Sequence, residues 1–435
     1  MRPRVAIARG PFSPIRYLAT GTLVLAVMVA GGASYPSGHS AFGPAVAEWM
    51  TAGPTTPVSF TVATVTVGSN PSFPAVDYAN GDVYVPNVYS GNMSLLRNTS
   101  LYGTMETGRE PFFALFDSQT HNLYLTVGNQ NVSVIEDARV TATVTVGLLP
   151  AEAALDTSTG DVYVPNSGSN NVSVIQGASV VASLPVGRDP FFPLYDPANG
   201  YVYVLNTDSD NVSVIHGSSV IGSVNVGANA IAATLDPTNG DVYVSNAASG
   251  NVSVISGTTL TATVRVGANP GYGEFDPADG DIYIPNGGSA NVSVISGKTV
   301  ISEIPVGFAP GFLAYDANNG FLYLSNFGSD NVTVLQGTEV VGSVNVGSQP
   351  SYPTFDAANG LVYVSDTGSG TVSVISTNVP PSIPGPSSTL FGLPGFWGVV
   401  LLLSVLVVVG GALSFALLRR RRPPAPETTI PPGAK

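Results

Sequence analysis

The sequence predicts an all-β fold of eight four-stranded sheets arranged in a closed ring, and three observations support this prediction. First, an aspartate that opens phrases such as DPTNGDVYVSN recurs at intervals of 39 or 40 residues. Second, each interval contains four short segments rich in Val, Thr or Tyr, separated by Gly, Asn or Ser. Third, a lone strand precedes the first repeat, and the last repeat has only three strands. The repeated aspartates are Asp77, Asp117, Asp156, Asp196, Asp236, Asp276, Asp316 and Asp356.

The segments of one repeat fit the four strands of a propeller blade. In the repeat around Asp236 they are AIAATLD, DVYVSN, NVSVISG and TLTATVRVG. The Asp-x-x-Asn-Gly phrase predicts a tight turn between the first two strands, in which the carboxylate accepts turn N–H groups and Gly adopts a positive φ. Because strand side chains alternate, Val-Tyr-Val directs its tyrosine toward one neighbouring sheet and its valines toward the other. A period of about 40 residues with four strands is typical of β-propellers.

The two ends of the repeat array predict how the ring closes. Residues 60–68, FTVATVTVG, form an isolated fourth strand, and residues 371–376, TVSVIS, end a repeat that lacks one. Pairing them gives 32 strands and eight blades, so the N-terminal strand closes the last blade. The phrases VYVPN, VYVSN and NVSVI resemble the YVTN-type β-propeller repeats of archaeal and bacterial surface proteins. This resemblance covers residues 57–376 and implies a location at the cell surface.

The segments outside the repeats predict export and membrane anchoring. Basic residues precede the apolar stretch Tyr17–Ala33, which predicts either a signal peptide cleaved after Ala33 or an uncleaved signal anchor. Phe396–Leu418 holds 23 uncharged residues, enough for a transmembrane helix. The arginines Arg419–Arg422 place the end of the chain in the cytoplasm and the propeller outside. The expected order is a signal peptide or anchor at 1–33, a linker at 34–56, the propeller ectodomain at 57–376, a Pro/Ser-rich linker at 377–395, a transmembrane helix at 396–418 and a basic tail at 419–435.

The sequence before the membrane segment also resembles a processing site. The tetrapeptide LPGF at 393–396 is similar to the PGF-type C-terminal sorting signals of archaeal surface proteins. Members of that class end soon after their basic cluster, whereas 13 residues follow Arg422 in this chain. Simple retention as a single-pass membrane anchor is therefore the preferred interpretation.

Charge and composition exclude several classes of function. Residues 57–376 carry 26 acidic and six basic side chains, which would repel a phosphate backbone and disfavour a nucleic-acid partner. The chain has no cysteine, which excludes disulfides and thiolate chemistry. No HExxH, phosphate-loop or GxSxG motif is present. We therefore expect no catalytic residues, no cofactor and no transition-metal site.

The candidate ligand site lies where the repeats differ. Arg109-Glu110 and Arg188-Asp189 occupy two of the loops between blades, and each pair precedes Pro-Phe-Phe. The second residue after the Pro position is aromatic in six of the eight repeats. Aromatic faces with charged neighbours at a channel mouth suit a sugar or a peptide, although the rings would equally serve to pack between innermost strands. The candidates are Arg109, Glu110, Phe113, Arg188, Asp189, Phe192, Tyr272, Glu274, Phe312 and Tyr352.

Two further sets of polar residues suggest modification or ion binding. N-x-S/T acceptors for glycosylation occur at Asn92, Asn98, Asn131, Asn171, Asn211, Asn251, Asn291 and Asn331. Seven of them belong to the NVSV-type phrase, where the Asn would end a turn and the Ser or Thr would face outward from a strand. Asp208, Asp210 and Asp330 lie in loops between second and third strands, and their oxygens suit Ca²⁺. Their spacing matches no complete calcium loop, and such residues are also common in ordinary turns.

These observations leave three functional interpretations. The preferred one is a non-catalytic binding or adhesion module at the cell envelope, with a surface protein or a polysaccharide as its partner. The second is an extracytoplasmic, lactonase-like hydrolase or lyase that uses acids at the channel mouth, such as Glu152 and Glu274. The third is a structural coat subunit without a defined ligand. A pocket of acids with raised pKa would favour an enzyme, and a flat aromatic face would favour binding.

Overall fold

The repeats form eight separate four-stranded antiparallel sheets, as the sequence predicts. The protein is described by a computed structural model, which covers residues 57–380 except Ala79. The predicted signal segment, the linker at 34–56, the transmembrane helix, the tail and most of the linker at 377–395 lie outside these residues. Within the described range no helix is long and apolar enough to span a bilayer.

The chain begins the propeller with β1 (Phe60–Thr66) and then forms blades 1 to 4 in order. Blade 1 contains β2 (Ala75–Asp77), β3 (Asp82–Asn87), β4 (Asn92–Arg97) and β5 (Ser100–Glu106). Blade 2 contains β6 (Pro111–Asp117), β7 (Asn122–Val127), β8 (Asn131–Glu136) and β9 (Arg139–Thr145). Blade 3 contains β10 (Ala154–Asp156), β11 (Asp161–Asn166), β12 (Asn171–Gln176) and β13 (Ser179–Pro185). Blade 4 contains β14 (Pro190–Asp196), β15 (Tyr201–Asn206), a 3-10 helix (Thr207–Ser209), β16 (Asn211–His216) and β17 (Ser219–Asn225).

Blades 5 to 8 follow the same pattern. Blade 5 contains β18 (Ala230–Asp236), β19 (Asp241–Asn246), β20 (Asn251–Ser256) and β21 (Thr259–Arg265). Blade 6 contains β22 (Glu274–Asp276), β23 (Asp281–Asn286), β24 (Asn291–Ser296) and β25 (Thr299–Pro305). Blade 7 contains β26 (Pro310–Asp316), β27 (Phe321–Asn326), β28 (Asn331–Gln336) and β29 (Glu339–Asn345). Blade 8 contains β30 (Pro350–Asp356), β31 (Leu361–Asp366) and β32 (Thr371–Thr377).

The N-terminal strand β1 completes blade 8, which confirms the predicted ring closure. It pairs antiparallel with β32 over seven residues, from Phe60 opposite Thr377 to Thr66 opposite Thr371. The sheet order is β1-β32-β31-β30, so the strand farthest from the axis comes from the other end of the array. Both ends of the ring are thereby held by one sheet.

The hydrophobic core is divided into eight clusters, one between each pair of neighbouring blades. Tyr203 of blade 4 packs with Val242 and Val244 of blade 5, whereas Val202 and Val204 pack with a tyrosine of blade 3. The strand alternation therefore directs tyrosine and valine to opposite neighbours, as predicted. Each blade therefore contributes to two clusters, one on each of its faces.

The connections lie on two opposite faces of the ring. The loop face carries the loops between blades and the loops between second and third strands, which hydrogen-bond to each other, as in Phe327 N to Ala309 O at 3.1 Å. The turn face carries the Asp-x-x-Asn-Gly turns and the turns between third and fourth strands. In blade 5 the Thr238 N–H donates to Asp236 Oδ1 at 2.9 Å, and Gly240 has a φ of 76°. These features confirm the predicted turn chemistry.

A buried hydrogen-bond ladder joins the second and third strands of most blades. In blade 5 Asn246 is fully buried, and its Nδ2 donates to Asn251 Oδ1 at 2.8 Å and to Ser253 Oγ at 3.0 Å. The expectation that the serine of NVSV faces outward is therefore wrong, because that serine accepts a buried hydrogen bond. Blade 8 departs from the pattern, since Asp366 replaces the asparagine and accepts hydrogen bonds from Thr371 and Ser373.

Candidate ligand-binding site in the central channel

Six aromatic rings converge at the loop-face end of the central channel. They come from equivalent positions of blades 1, 2, 4, 6, 7 and 8, near the beginning of each innermost strand. The ring of Tyr272 lies 4.4 Å from that of Phe312, and the ring of Phe312 lies 4.4 Å from that of Tyr352. Phe73 contacts rings of blades 2, 6, 7 and 8, so the rings meet across the axis. The layer comprises Phe73, Phe113, Phe192, Tyr272, Phe312 and Tyr352.

A hydrogen bond crosses the channel within this layer. The Tyr272 hydroxyl of blade 6 donates to Glu152 Oε1 of blade 3 at 2.8 Å. Glu152 is 3% exposed, and its burial raises the pKa of its carboxyl to about 8, against a smaller lowering by the Tyr272 hydrogen bond. Burial also raises the pKa of the Tyr272 hydroxyl well above its ordinary value. Both groups are therefore neutral at pH 7, which makes a buried hydrogen bond without a buried charge.

Below the rings lies a cavity of about 360 Å³. The innermost strands run from the loop face to the turn face, and the cavity wall continues along them past the rings to Thr234, Glu274 and Thr354. Glu274 lies deep in the protein but remains half-buried because it borders this cavity. Its pKa is raised to about 8, mainly by burial and secondarily by the charge of Asp276. The cavity therefore lies on the turn-face side of the aromatic layer and contains a carboxyl group whose raised pKa favours its neutral form.

The two channel acids are electrostatically separate. Burial is the main cause of both raised pKa values, and Tyr272 and Asp276 are the neighbours that contribute. Glu152 does not line the cavity, and neither acid shifts the pKa of the other. The hydrogen-bonded partner of Glu152 is Tyr272. The two acids that the sequence offered for an enzyme are therefore not paired with each other, because Glu152 is paired with Tyr272.

The position one residue before each ring of the aromatic layer carries a second pair of contacting rings, from blades 2 and 4. Phe112 of blade 2 and Phe191 of blade 4 lie 6.2 Å apart, centroid to centroid, across blade 3. Blade 3 has the buried Ala151 at that position, which leaves room for the two rings to meet. The sequence marks both phenylalanines within Pro-Phe-Phe, but it gives no indication that residues of non-adjacent blades touch.

The charged pairs of the sequence-predicted site lie above this layer, on the loop face. Arg109 and Glu110 are exposed and border two loop cavities, one shared with loop residues of blade 2 and one shared with loop residues of blade 1. Arg188 is exposed and donates from Nη2 to the Asp208 carbonyl oxygen at 2.9 Å. Burial, and then the charge of Asp208, raise the pKa of Asp189. The structure therefore joins the predicted aromatic residues into one site but leaves the two charged pairs in separate loops.

The loop face also exposes large apolar side chains. In each loop between blades, the second residue after the glycine that recurs in every repeat has a positive φ of 49–59°. Asparagine suits that conformation, but one such position is Leu149, which is 52% exposed with a φ of 54°. Phe308 is 72% exposed beside Phe327 on blade 7. The backbone of these loops does not require an apolar residue at either position. Leu149 and Phe308 are therefore candidates for contact with a partner.

The structure places the predicted modification and calcium residues as follows. Seven of the sequon asparagines begin third strands and are half-buried, and the Ser or Thr of each is buried. Asn98 lies instead in an exposed turn of blade 1. Asp210 and Asp330 accept backbone N–H groups of the next blade at 3.1 and 2.8 Å, which is an ordinary turn-stabilising role. Among residues 57–380 no group of three or more His, Asp or Glu side chains could hold a metal ion.

Comparison with solved structures supports the propeller fold. The chain resembles dihydro-heme d1 dehydrogenase NirN in complex with DHE, with a TM-score of 0.58, 15% identity, and coverage of 76% of this chain and 82% of that chain. It also resembles a streptogramin B lyase, with a TM-score of 0.50, 13% identity, and coverage of 73% and 98%. A further similar structure is Kuenenia stuttgartiensis hydrazine synthase, with a TM-score of 0.50, 18% identity, and coverage of 63% of this chain and 96% of that chain. At these identities the likeness is one of fold.

Comparisons of sequence give no further assignment. No protein-family model matches the chain. No curated protein matches it either. The functional conclusion therefore depends on the chain's own residues.

Proposed function

We propose that this protein is an exported, membrane-anchored surface protein of the YVTN-repeat type, whose propeller binds a protein of the cell envelope without catalysis. In this proposal residues 396–418 anchor the chain, the propeller lies outside the cell and residues 419–435 lie in the cytoplasm. The loop face makes the contact. Asn98 is the sequon that would carry a glycan, because its side chain is exposed in a turn.

The observation that carries the proposal is the filling of the channel by aromatic rings. Phe73 contacts rings of four other blades, and Tyr272 reaches Glu152 across the axis. The loop-face end of the channel is thus closed, and this face offers a partner a broad surface rather than a deep funnel. The exposed aliphatic side chains on it, Leu148 and Leu149, favour a protein partner over a polysaccharide, because sugars are bound mainly through polar groups and stacked rings.

The experiment measures binding of labelled residues 57–380 to intact cells of the source culture. Leu149→Asn/Phe308→Ser removes the exposed apolar groups, and Asn fits the positive φ at position 149. The matched control is Tyr78→Ser, since Tyr78 is 56% exposed on the turn face. We expect saturable binding that unlabelled protein competes, with a loss in the loop-face variant alone. Equal binding by all three proteins, or binding removed by glycan digestion of the cells, would contradict a protein partner on the loop face.

A second candidate function is an extracytoplasmic hydrolase or lyase. The observation in its favour is the pair of raised pKa values at Glu152 and Glu274, since protonated acids can serve as general acids. A lyase also occurs among the similar propellers. Against it, Glu152 is occupied by Tyr272, which leaves Glu274 as a single acid in the cavity. A substrate screen in which Glu274→Gln abolishes turnover would support this second function.

A further inference from the structure

The cavity below the aromatic layer has the shape and lining of a small-ligand site. Its volume of about 360 Å³ falls within the range of roughly 300–1,000 Å³ typical of ligand pockets. Five of the six rings line it, and they come from blades 1, 4, 6, 7 and 8. The rings form the end of the cavity that is nearer the loop face. The rings are those of Phe73, Phe192, Tyr272, Phe312 and Tyr352.

One carboxyl group in this cavity has no counter-charge. The side chain of Glu274, which is half-buried, makes no hydrogen bond or ion pair with any of the described residues. The nearest charge that acts on it is the acidic Asp276, and the lining contains no Lys, Arg or His. The charged form of this carboxyl therefore lacks a counter-ion in the cavity, and a bound cation would supply one.

We propose that this cavity binds a small organic cation of the methylated-ammonium class, with the cationic group against the aromatic layer and Glu274 supplying the negative charge. Aromatic rings attract cations through their negative faces, and this attraction is strongest where water is excluded. The site is distinct from the loop face, and the proposal does not depend on the docking function.

The mainly apolar lining suits a methylated ammonium, which requires fewer hydrogen-bond acceptors than a primary amine does. A primary ammonium has three N–H donors, and each needs an acceptor when it is buried. The Tyr272 hydroxyl is already committed to Glu152, which leaves the hydroxyls of Thr234, Tyr352 and Thr354 as the neutral polar side-chain groups of an otherwise mainly apolar wall. A quaternary ammonium has no N–H group and needs only the rings and one carboxylate. The cavity therefore matches the second kind of cation.

Binding of a cation should release a proton from Glu274, and this release can be measured. The empty site holds Glu274 protonated at pH 7, because its pKa is raised to about 8 by burial. A bound cation stabilises the carboxylate, so the carboxyl O–H bond breaks and its proton leaves to buffer as the cation enters. Close to one proton is released for each cation bound. A neutral ligand of the same shape releases none.

The experiment is calorimetric titration of the purified full-length chain at pH 7 in two buffers of different ionisation enthalpy. The probes are choline and its uncharged isostere 3,3-dimethylbutan-1-ol. We expect choline to bind with release of close to one proton, and the isostere to bind at least about tenfold more weakly without proton release. Equal binding of the two probes, choline binding without proton release, or no choline binding would overturn the proposal.

Two variants locate the effect. Glu274→Gln should weaken choline binding by at least about tenfold and abolish proton release, while binding of the isostere stays unchanged. Glu339→Gln, an exposed acid on the outer strand β29, should behave as the wild type. Equal losses in the two variants would contradict the site. If Glu274→Gln fails to fold, the comparison of the two probes on the wild type and on Phe312→Leu still decides, because loss of one ring must weaken choline more than the isostere.

Discussion

The Tyr272 hydroxyl donates a 2.8 Å hydrogen bond to Glu152 Oε1 across the central channel, between residues 120 positions apart in the chain. This bond joins blade 6 to blade 3, which share no sheet and no core cluster. Together with the rings beside it, the bond closes the channel near the loop face. The channel is therefore filled by packed aromatic rings and this hydrogen bond at the loop-face end, and it contains a cavity on the turn-face side.

Removing this bond should destabilise the ring. In Tyr272→Phe the buried Glu152 carboxyl loses its partner, which we expect to cost about 1–3 kcal/mol in the free energy of unfolding. The matched control is Tyr352→Phe, which removes a second channel hydroxyl from the same aromatic layer. Denaturant unfolding at pH 6 measures both. An equal or larger loss in the control variant would contradict the importance of the Tyr272–Glu152 bond.

The stability of the propeller should fall as the pH rises from about 5 to 8. The pKa values of Glu152 and Glu274 are about 8 in the folded protein against an ordinary 4.5, so the folded state binds these protons more tightly. Their stabilising contribution is complete below about pH 4.5 and is lost as the pH rises through 8. In Glu152→Gln/Glu274→Gln the slope of unfolding free energy against pH should decrease. A slope in the double variant as steep as that of Glu339→Gln would refute the assignment.

Asp366 should destabilise the closing blade at neutral pH. Burial raises its pKa from 3.8 to about 6, which corresponds to a loss of roughly 3 kcal/mol of folding free energy once it ionises. In Asp366→Asn the amide can donate to Thr371 and Ser373 as asparagine does in other blades. Thermal unfolding should therefore show a higher Tm for this variant at pH 7 and little change at pH 4. The reverse swap in blade 7, Asn326→Asp, should lower the Tm at pH 7.

Strand β1 should be required for a closed ring, but its position in the sequence should not matter. Deleting residues 57–68 exposes the edge of β32 and removes the apolar contacts of Val65 from the blade 8–blade 1 cluster. We expect a large fall in Tm for that variant. The control moves the same strand to follow β32 through a two-residue Gly-containing turn, which restores an ordinary four-stranded blade. An unchanged Tm after deletion, or no recovery in the control, would refute closure by this strand.

Leu149 should lower the stability of the propeller, because a leucine is unfavourable at its positive φ. A positive φ of 54° costs a leucine about 1–2 kcal/mol of folding free energy, because its Cβ lies too close to the backbone. Asparagine tolerates this conformation better. Leu149→Asn should therefore raise the unfolding free energy, and Asn229→Leu, at the equivalent position of another loop, should lower it. A stabilised Leu149→Asn variant that no longer binds cells would show that the leucine is retained for contact rather than for folding.

The fold could be predicted from the sequence because its rules are local and repeated. The spacing of Asp77 and its seven counterparts sets the blade period, and the Val-Tyr-Val alternation sets which neighbour each side chain meets. The lone strand at 60–68 predicts the closing pair, since an unpaired edge needs a partner. Each of these inferences requires only the geometry of one strand or one turn.

The site could be predicted only in part, because its contacts join blades that are distant in the chain. The repeat alignment identifies Phe113, Phe192, Tyr272, Phe312 and Tyr352 as equivalent, but the ring radius decides whether their side chains meet. The partner of Glu152 depends on the same radius. The burial of the NVSV serine also escaped prediction, since strand alternation does not reveal that a neighbouring asparagine needs an acceptor.

The decisive measurement is the cell-binding affinity of two variants of the labelled propeller compared with the wild type. Leu149→Asn/Phe308→Ser changes the loop face, and Glu274→Gln changes the channel cavity. If the loop face binds the envelope partner, the first variant should lose at least about tenfold in affinity and the second should bind as the wild type does. Full binding by the loop-face variant, with loss in Glu274→Gln, would contradict docking through the loop face and place the function in the channel.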